Sequence, residues 1–564
     1  MKHLILFIIT LSPLTGFAQK SLPEDVVKSI KARIEYGHSP SIVVGIIDKY
    51  GPQYYLFGTK TEGGEPVNEH SIYEIGSITK TFTGILLASA KMNPNAPARK
   101  YLPAGVTLPS RNGKQITLGH LSDHTSALPR LPANLMPANP SNPYADYTVE
   151  QLYAFLKSCT LTRDIGSAYE YSNLAQGLLG HILALKAGKS FEALVVEKIA
   201  LPLGMTSTKI TFDDRMRQNL AIGHSDGEPA ANWDIPTLAG AGAIRSSLHD
   251  MLLYVAANMG LKKSKLKRAM QMSHQPRHDK VGGGTRVGLG WHISKGAEGD
   301  VIWHNGGTGG YRTFAGFVKE TGKGVVVLTN STKGADDIGF HLLNSNAKLI
   351  EVKRSGAIAL KKAADAKDAE AAWLTYLDLK GNQPDAYDFD EGELNALGYN
   401  YLQAGKVKEA LTIFNVNVLE FPNSSNVYDS YGEALMKDGQ KELAIENYNK
   451  SLELDPTNTN AISMLVTLGV KVPEAAVYVD PAILESYVGK YELSPGFFIT
   501  ITREGNRLFG QATGQVRFEM FAKSNDEFYL RVVEARITFA SAGGKVVSLR
   551  WYQGVQELVG MKVE

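Results

Sequence analysis

The 564-residue sequence contains one cysteine, Cys159. A single thiol closes no intramolecular disulfide, and it supports neither a Cys-rich zinc module nor a Cys-ligated iron–sulfur cluster. Charge of one sign is also missing: 59 basic and 57 acidic residues leave a formal net charge of +2. That balance gives no electrostatic footprint for nucleic acid, so a dedicated DNA or RNA binder is excluded. No apolar run reaches the ~18 residues that argue for a membrane span. The apolar run from Leu4 to Phe17 is short, is interrupted by Pro13 and follows Lys2 and His3. Gly16 and Ala18 then put small residues at the −3 and −1 positions of a cleavage site. This pattern predicts a secretory signal peptide, residues 1–18, with Gln19 opening the mature chain. With no cysteine at the cleavage point to carry lipid, the expectation is a bacterial periplasmic or secreted protein with no transmembrane segment after cleavage.

What is present is enough for several cores. Hydrophobic residues make up 43% and charged residues 21%, and the length suggests three or four domains. Between about Leu22 and Ile350, "SIVVGIIDKYG" with "PQYYLFGTKT" reads as one hairpin, and "GGYRTFAGFVKETGKGVVVLTNST" as a second strand pair. Helical patterns such as "TFTGILLASA" lie between them. Strands at both ends with helices between predict an α/β (α+β) domain, residues 19–350, whose terminal segments share one antiparallel sheet. A helical region at about 95–240 is expected beside it. The Ala- and Lys-rich stretch 351–385 reads as a charged helical connector.

Residues 386–472 carry an internal repeat. Leu397-Gly398, Tyr401, Ala410, Phe414 and Pro422 recur 34 positions later as Tyr431-Gly432, Leu435, Ala444, Tyr448 and Pro456. Small residues at close helix approaches, aromatics between and a closing proline resemble two tetratricopeptide repeats, which would offer a concave surface to a protein or peptide partner. Two repeats fall short of a self-supporting solenoid, so flanking helices are expected to complete it. Residues 478–564 alternate and turn at Glu504-Gly505-Asn506 and Gly543-Gly544, which predicts a small antiparallel β barrel or sandwich. It loosely resembles the lipocalin-like C-terminal domains of some secreted bacterial serine hydrolases.

Three short elements can carry chemistry. In "YEIGSITKTFTGILLASA", Gly76 supplies a turn and Ser77 opens a helix, with Lys80 three residues on and on the same face. The apolar helix disfavours a cationic lysine, so its pKa should fall and let it help deprotonate the serine. Ser-x-x-Lys also occurs at Ser264 and Ser345, but the first lies in a basic run and the second in a polar helix end with no glycine turn. Tyr171-Ser172-Asn173 places a phenol able to share a proton network two residues before an amide able to hold a substrate amide. The same tripeptide also reads as a capped helix start. His304-Asn305-Gly306-Gly307 follows a strand-like run, and its glycines let substrate approach the backbone. The N–H groups of Ser77 and Gly307 are candidate oxyanion donors.

Together these elements resemble the serine β-lactamase and penicillin-binding protein superfamily, in its class C β-lactamase, D-aminopeptidase and esterase branch. Leu121–Pro129 (with Ala127 where that branch has glycine), Leu201–Thr208 and Ala239–Met251 resemble further segments of it. The resemblance implies Ser77 as acylated nucleophile, Lys80 as its activating partner and Tyr171 as general base and acid. It implies Asn173 as holder of the acyl amide, and His304, Gly306 and Gly307 as the substrate-side strand. His304 replaces the lysine that in classical enzymes of this type helps bind a substrate carboxylate. A histidine is charged only part of the time at neutral pH, and Arg312 is the candidate to compensate. The expected activity is serine hydrolysis of an amide or ester: a D-amino-acid peptide, a β-lactam or an ester. The alternative is a catalytically inactive scaffold that binds peptidoglycan fragments and recruits partners through the repeats. No metal or organic cofactor is expected. Gly223–Gly227 fits G-x-S-x-G but lacks its strand and helix, and reads as a loop. His120 and His124 lack the glutamate of a zinc helix and read as structural.

Overall fold

The computed structural model describes residues 21–225, 227–279, 281–470, 477–505, 507–530, 535–553 and 556–563. The predicted signal peptide, 1–18, lies outside them. The chain divides into two units, residues 1–354 and 355–564.

The first unit is built on a seven-stranded sheet. Its strands are β1 (Ser41–Asp48), β2 (Gly51–Gly58), β3 (Arg286–Val287), β4 (His292–Lys295), β5 (Asp300–Gly307), β6 (Arg312–Val318) and β7 (Lys323–Thr329). The order across the sheet is β2-β1-β7-β6-β5-β4-β3, with every neighbour antiparallel. The two terminal strand pairs therefore meet: Ile42 of β1 pairs with Thr329 of β7.

β1 is apolar on both faces because both are covered. Ile42, Val44 and Ile46 pack with Val26 and Ile30 of helix α1 (Glu24–Glu35) and with Ile338 and Leu342 of a later helix, Asp336–Leu343. Val43 and Ile47 join the larger core on the opposite face, with α2 (Thr79–Ser89), α3 (Asn173–Ala187) and α4 (Leu248–Met259). The helical region enters that core through Leu152, Phe155, Leu178 and Leu194.

Helix α2 is the element that positions chemistry. Nine consecutive residues, Thr79 to Leu87, are buried, Lys80 among them. Each large apolar side chain buried here contributes roughly 1.5–3 kcal/mol, so Phe82, Ile85, Leu86 and Leu87 together hold the helix in a place where a lone cation is disfavoured.

In the second unit, helices Gly356–Ala366 and Ala369–Asn382 form a hairpin. The connector reading of 351–385 is corrected here. Ala357, Leu360, Ala364, Ala372 and Tyr376 are buried in one core with Leu394, Tyr401, Ala410 and Phe414. The charged residues that suggested a connector lie on the outside of a packed helical pair. Two more hairpins follow, Glu391–Gln403 with Val407–Glu420 and Ser425–Lys437 with Lys441–Leu454, then helix Thr459–Thr467. A Cβ on Gly398 would sit 2.5 Å from the Phe414 ring, and one on Gly432 would sit 3.1 Å from the Tyr448 ring. These two glycines, 34 residues apart, make the same close helix approach. The unit ends in a closed barrel of eight strands from Gly489–Ser494 to Gln556–Lys562, filled by Tyr491, Ile501, Phe528, Ile537 and Leu549. It is a barrel, not a sandwich.

Candidate active site

The site begins at a turn. Gly76 has φ +48°, the left-handed region that suits glycine, and it starts a single 3-10 turn, Gly76–Ile78, that runs into α2. Ser77 is half-buried at this entry, so its backbone N–H has no helical acceptor. The end of β5 presses against the same turn. A Cβ on Gly76 would lie 2.6 Å from the Gly307 nitrogen, and one on Gly306 would lie 2.0 Å from the Ile75 carbonyl oxygen. The Thr313 hydroxyl of β6 donates to that carbonyl at 3.0 Å. Two strands thus fix the serine turn, and Gly306 and Gly307 are the residues that permit the approach.

Lys80 is fully buried. Its Nζ is 2.8 Å from the Ser77 Oγ and donates to the Ala241 carbonyl at 2.7 Å. Burial, with a smaller contribution from Arg130, holds its pKa well below the usual lysine value. A neutral amine has two N–H groups and one lone pair. With Ala241 taking an N–H, the lone pair can accept the Ser77 proton.

Tyr171 comes from the loop before α3, and the Lys80 Nζ lies 4.7 Å from its ring centroid. Burial pushes its phenol upward, offset by the Ser77 hydroxyl as hydrogen-bond partner and by Arg130. Ser172 caps α3: its hydroxyl accepts from Ala175 N–H at 2.9 Å and donates to the Pro129 carbonyl at 2.7 Å. The capped helix start is therefore observed, and the cap fixes the backbone beside Tyr171. Asn173 donates through Nδ2 to the Tyr144 hydroxyl at 3.4 Å. Its Oδ1 is shut from solvent without a partner.

His304 sits on β5 with its ring 6.2 Å from that of Tyr171. Its Nδ1 contacts the Asn305 carbonyl at 2.6 Å. A carbonyl can only accept, so Nδ1 carries the proton and Nε2 is a bare acceptor, buried and unpartnered. Burial, then His292 and Lys80, hold its pKa well below the usual histidine value. The part-time charge expected at this position is thus removed by the site itself. Arg312 does not simply compensate. Its guanidinium donates to the Thr308 and Tyr311 carbonyls, both at 3.2 Å, and lies in the field of Asp336.

The sequence reading missed how histidines frame the tyrosine. His124, expected to be structural, stacks on Tyr171 with centroids 4.5 Å apart. Its Nδ1 accepts from Ser172 N–H at 3.0 Å and its carbonyl accepts from Glu170 N–H at 2.9 Å, so it clamps the residues on both sides of Tyr171. His292 bonds the Tyr169 hydroxyl at 2.9 Å and lies 4.9 Å from His304. Burial lowers His292 to about 4. His124 and Ala127 both have positive φ, +61° and +62°. A signal was present for Ala127, which stands where the resembling segment has glycine. His120 closes a capping box with Thr117. His224–Ser225 forms a two-residue strand paired with Glu228–Pro229, and Asp226 lies outside the described residues. Among the described residues no cluster of His, Cys, Asp or Glu could hold a metal ion, and no helix is long and apolar enough to cross a membrane.

The beta-lactamase family model matches residues 26–344. The chain belongs to the beta-lactamase family. Residues 473–562 match a second family described only as a domain of unknown function. D-alanyl-D-alanine-carboxypeptidase/endopeptidase AmpH of Escherichia coli is 30% identical over 330 residues, covering 54% of this chain and 84% of that protein. A beta-lactamase of Yersinia enterocolitica is 28% identical over 309 residues, covering 51% and 75%. The structure of a beta-lactamase/D-alanine carboxypeptidase from Pseudomonas syringae aligns with a TM-score of 0.50 at 21% identity, covering 57% of this chain and 98% of that one. That likeness is one of fold. In this family member, Ser77 with Lys80, Tyr171 with Asn173, and His304 with Gly306 and Gly307 come from three separate segments of the chain.

Proposed function

We propose that the protein is an exported serine hydrolase that acts on an amide or ester through an acyl-enzyme on Ser77. The observation that carries this reading is the buried Lys80 amine 2.8 Å from the Ser77 Oγ, with one of its N–H groups donated to the Ala241 carbonyl. Lys80 accepts the Ser77 proton as Oγ attacks the substrate carbonyl. The N–H groups of Ser77 and Gly307 hold the oxyanion, each worth about 2.7–4 kcal/mol in acyl transfer. Tyr171, raised in pKa and so protonated at neutral pH, passes its proton to the leaving group and regains one from the Lys80 ammonium; water then attacks the acyl carbonyl, gives its proton to Lys80, and Ser77 leaves with a proton returned through the same pair. Asn173 Oδ1, an orphaned acceptor, receives the acyl-side amide N–H.

The carboxypeptidase and beta-lactamase names of the relatives support D-amino-acid peptides and β-lactams as first substrates to try. The neutral His304 supports esters beside them, because it supplies no permanent charge for a terminal carboxylate. We further propose that the helical hairpins of residues 386–472 act as tetratricopeptide-like repeats toward a protein or peptide partner. The matched Gly398–Phe414 and Gly432–Tyr448 contacts support this.

Intact-protein mass spectrometry after treatment with a fluorophosphonate or a fluorescent penicillin tests the enzymatic reading. One adduct is expected on the wild type and none on Ser77→Ala. A wild type that stays unlabelled and hydrolyses none of the three substrate classes overturns it in favour of a binding scaffold.

A further inference from the structure

Arg130 is the unexplained cation of this site. It follows the Leu128-Pro129 segment, is exposed, and its guanidinium lies 5.2 Å from the centroid of the Tyr171 ring. That contact keeps the side chain at the site, since a planar guanidinium over an aromatic face is attracted to it. Its backbone is fixed as well: the Arg130 carbonyl accepts from Asn173 N–H at 3.0 Å and from Leu174 N–H at 3.2 Å. The charged end has no hydrogen-bond or ion-pair partner among the described residues. Glu170, one residue before Tyr171, is taken by Arg163. Its field nevertheless reaches Lys80, Tyr144, Tyr169 and Tyr171. The two other basic side chains here are engaged, Lys80 as a neutral amine with Ser77 and Ala241 and Arg312 through Nη1 with two carbonyls.

The residue whose N–H bonds the Arg130 carbonyl carries a free acceptor, Asn173 Oδ1, buried and unpartnered. An exposed arginine and an orphaned amide oxygen on adjoining backbone ask for one ligand with an N–H and an anion. We propose that Arg130 is the carboxylate anchor of the acyl pocket, and that the preferred acyl donors are N-acylated amino-acid or peptide derivatives carrying a free carboxylate on the acyl side. This rests on the acyl-enzyme reading above for the direction in which the donor lies. Asn173 takes the amide N–H, and the guanidinium takes the carboxylate in the two-pronged geometry that arginine offers and lysine does not. The anchor also supplies, from a different wall of the site, the charge that His304 does not.

The test uses two D-alanyl thioesters that differ at one group: N-succinyl, with a free carboxylate, and its methyl ester. The full-length wild type should favour the acid in kcat/KM by roughly ten- to hundredfold, the range of a hydrogen bond to a charged group. The preference should shrink with added salt. Arg130→Ala should bring the ratio of the two substrates to within about twofold of unity, and Arg130→Lys should restore only part of it. Because the Arg130 side chain is exposed and its one contact is with the face of the Tyr171 ring, both variants should melt within a few degrees of the wild type. A second arm needs no turnover: calorimetric binding of N-succinyl-D-alanine and its methyl ester to Ser77→Ala, with and without Arg130→Ala. Equal kcat/KM for the two thioesters in the wild type, or a preference that survives Arg130→Ala, overturns the anchor while leaving the hydrolase intact. No hydrolysis of either thioester or of the three substrate classes and no fluorophosphonate adduct on Ser77, with Arg130-dependent binding of the acid retained, overturns the hydrolase and leaves the anchor. Equal binding of acid and ester overturns the anchor in that arm too.

Discussion

A single methyl group tests the geometry of the oxyanion site. In Gly76→Ala the new Cβ would lie 2.6 Å from the nitrogen, 2.9 Å from the oxygen and 3.1 Å from the carbonyl carbon of Gly307. These are backbone atoms in a ladder with β6, so they cannot rotate aside as a side chain would. Relief to ordinary contact, roughly 3.5 Å, requires the end of β5 to retreat by about an ångström. The alanine also inherits φ +48°, at a cost of about 1–2 kcal/mol. A donor works on a developing oxyanion only within about 2.7–3.1 Å, and losing one costs about 10²–10³ in kcat. We therefore expect kcat on a chromogenic ester to fall by about that factor, with KM changing far less and the circular-dichroism spectrum unchanged. Gly334→Ala is the matched control, because no atom lies within 4 Å of its added Cβ and its φ is ordinary; it should be silent. A folded Gly76→Ala protein that keeps kcat within tenfold of wild type would refute the assignment of Gly307 as an oxyanion donor.

Lys80→Met should abolish turnover at pH 7, and the wild-type kcat/KM profile should rise with pH through a lysine pKa held well below its usual value by burial; an ascending limb centred near 10 would contradict the proton route. His292 is lowered to about 4 by burial, against about 6.5 unfolded. The folded state then refuses a proton that the unfolded state binds, so stability is full above pH 6.5 and is lost as pH falls toward 4. The loss is about 2 kcal/mol at pH 5 and about 3 kcal/mol at pH 4. Urea titrations of wild type and His292→Gln should show that pH dependence reduced by this amount in the variant; identical curves would contradict it. Arg245 and Glu74 form an ion pair at 3.1 Å with both side chains 3% exposed, so Arg245→Met should cost about 3–5 kcal/mol by leaving a buried carboxylate unpaired. Adding Glu74→Gln should recover part of that loss in the same denaturation assay.

The parts of the molecule legible in the sequence are those written in short-range pattern. The hairpins at 41–58 and 312–329 are short β-rich runs broken by glycine turns, and the Ser77–Lys80 pair follows from helix geometry alone. The 34-residue offset placed Gly398 and Gly432 in equivalent positions because equal packing demands equal residue size. The placement of His124 and Arg130 against the Tyr171 ring was not legible. They arrive on a loop whose direction is set by positive φ at His124 and Ala127, and neither residue type announces that backbone state. His292 reaches Tyr169 only through the sheet. The helical pair Gly356–Asn382 was misread because its charged side chains dominate composition, while the alanines and Leu360 that pack are small or few. Barrel and sandwich share the same alternation, so only closure of the last strand on the first distinguishes them.

The pairing of β1 with β7 fixes an order of events as well as a shape. A ribosome has released Ser77 and Lys80 long before it reaches Thr329, the partner of Ile42. Until then β1 has only β2 beside it, and the sheet whose strand β5 presses on the Ser77 turn is not closed. A chain cut short before Asp300 holds Ser77 and Lys80 in sequence but lacks the strand whose end presses on their turn.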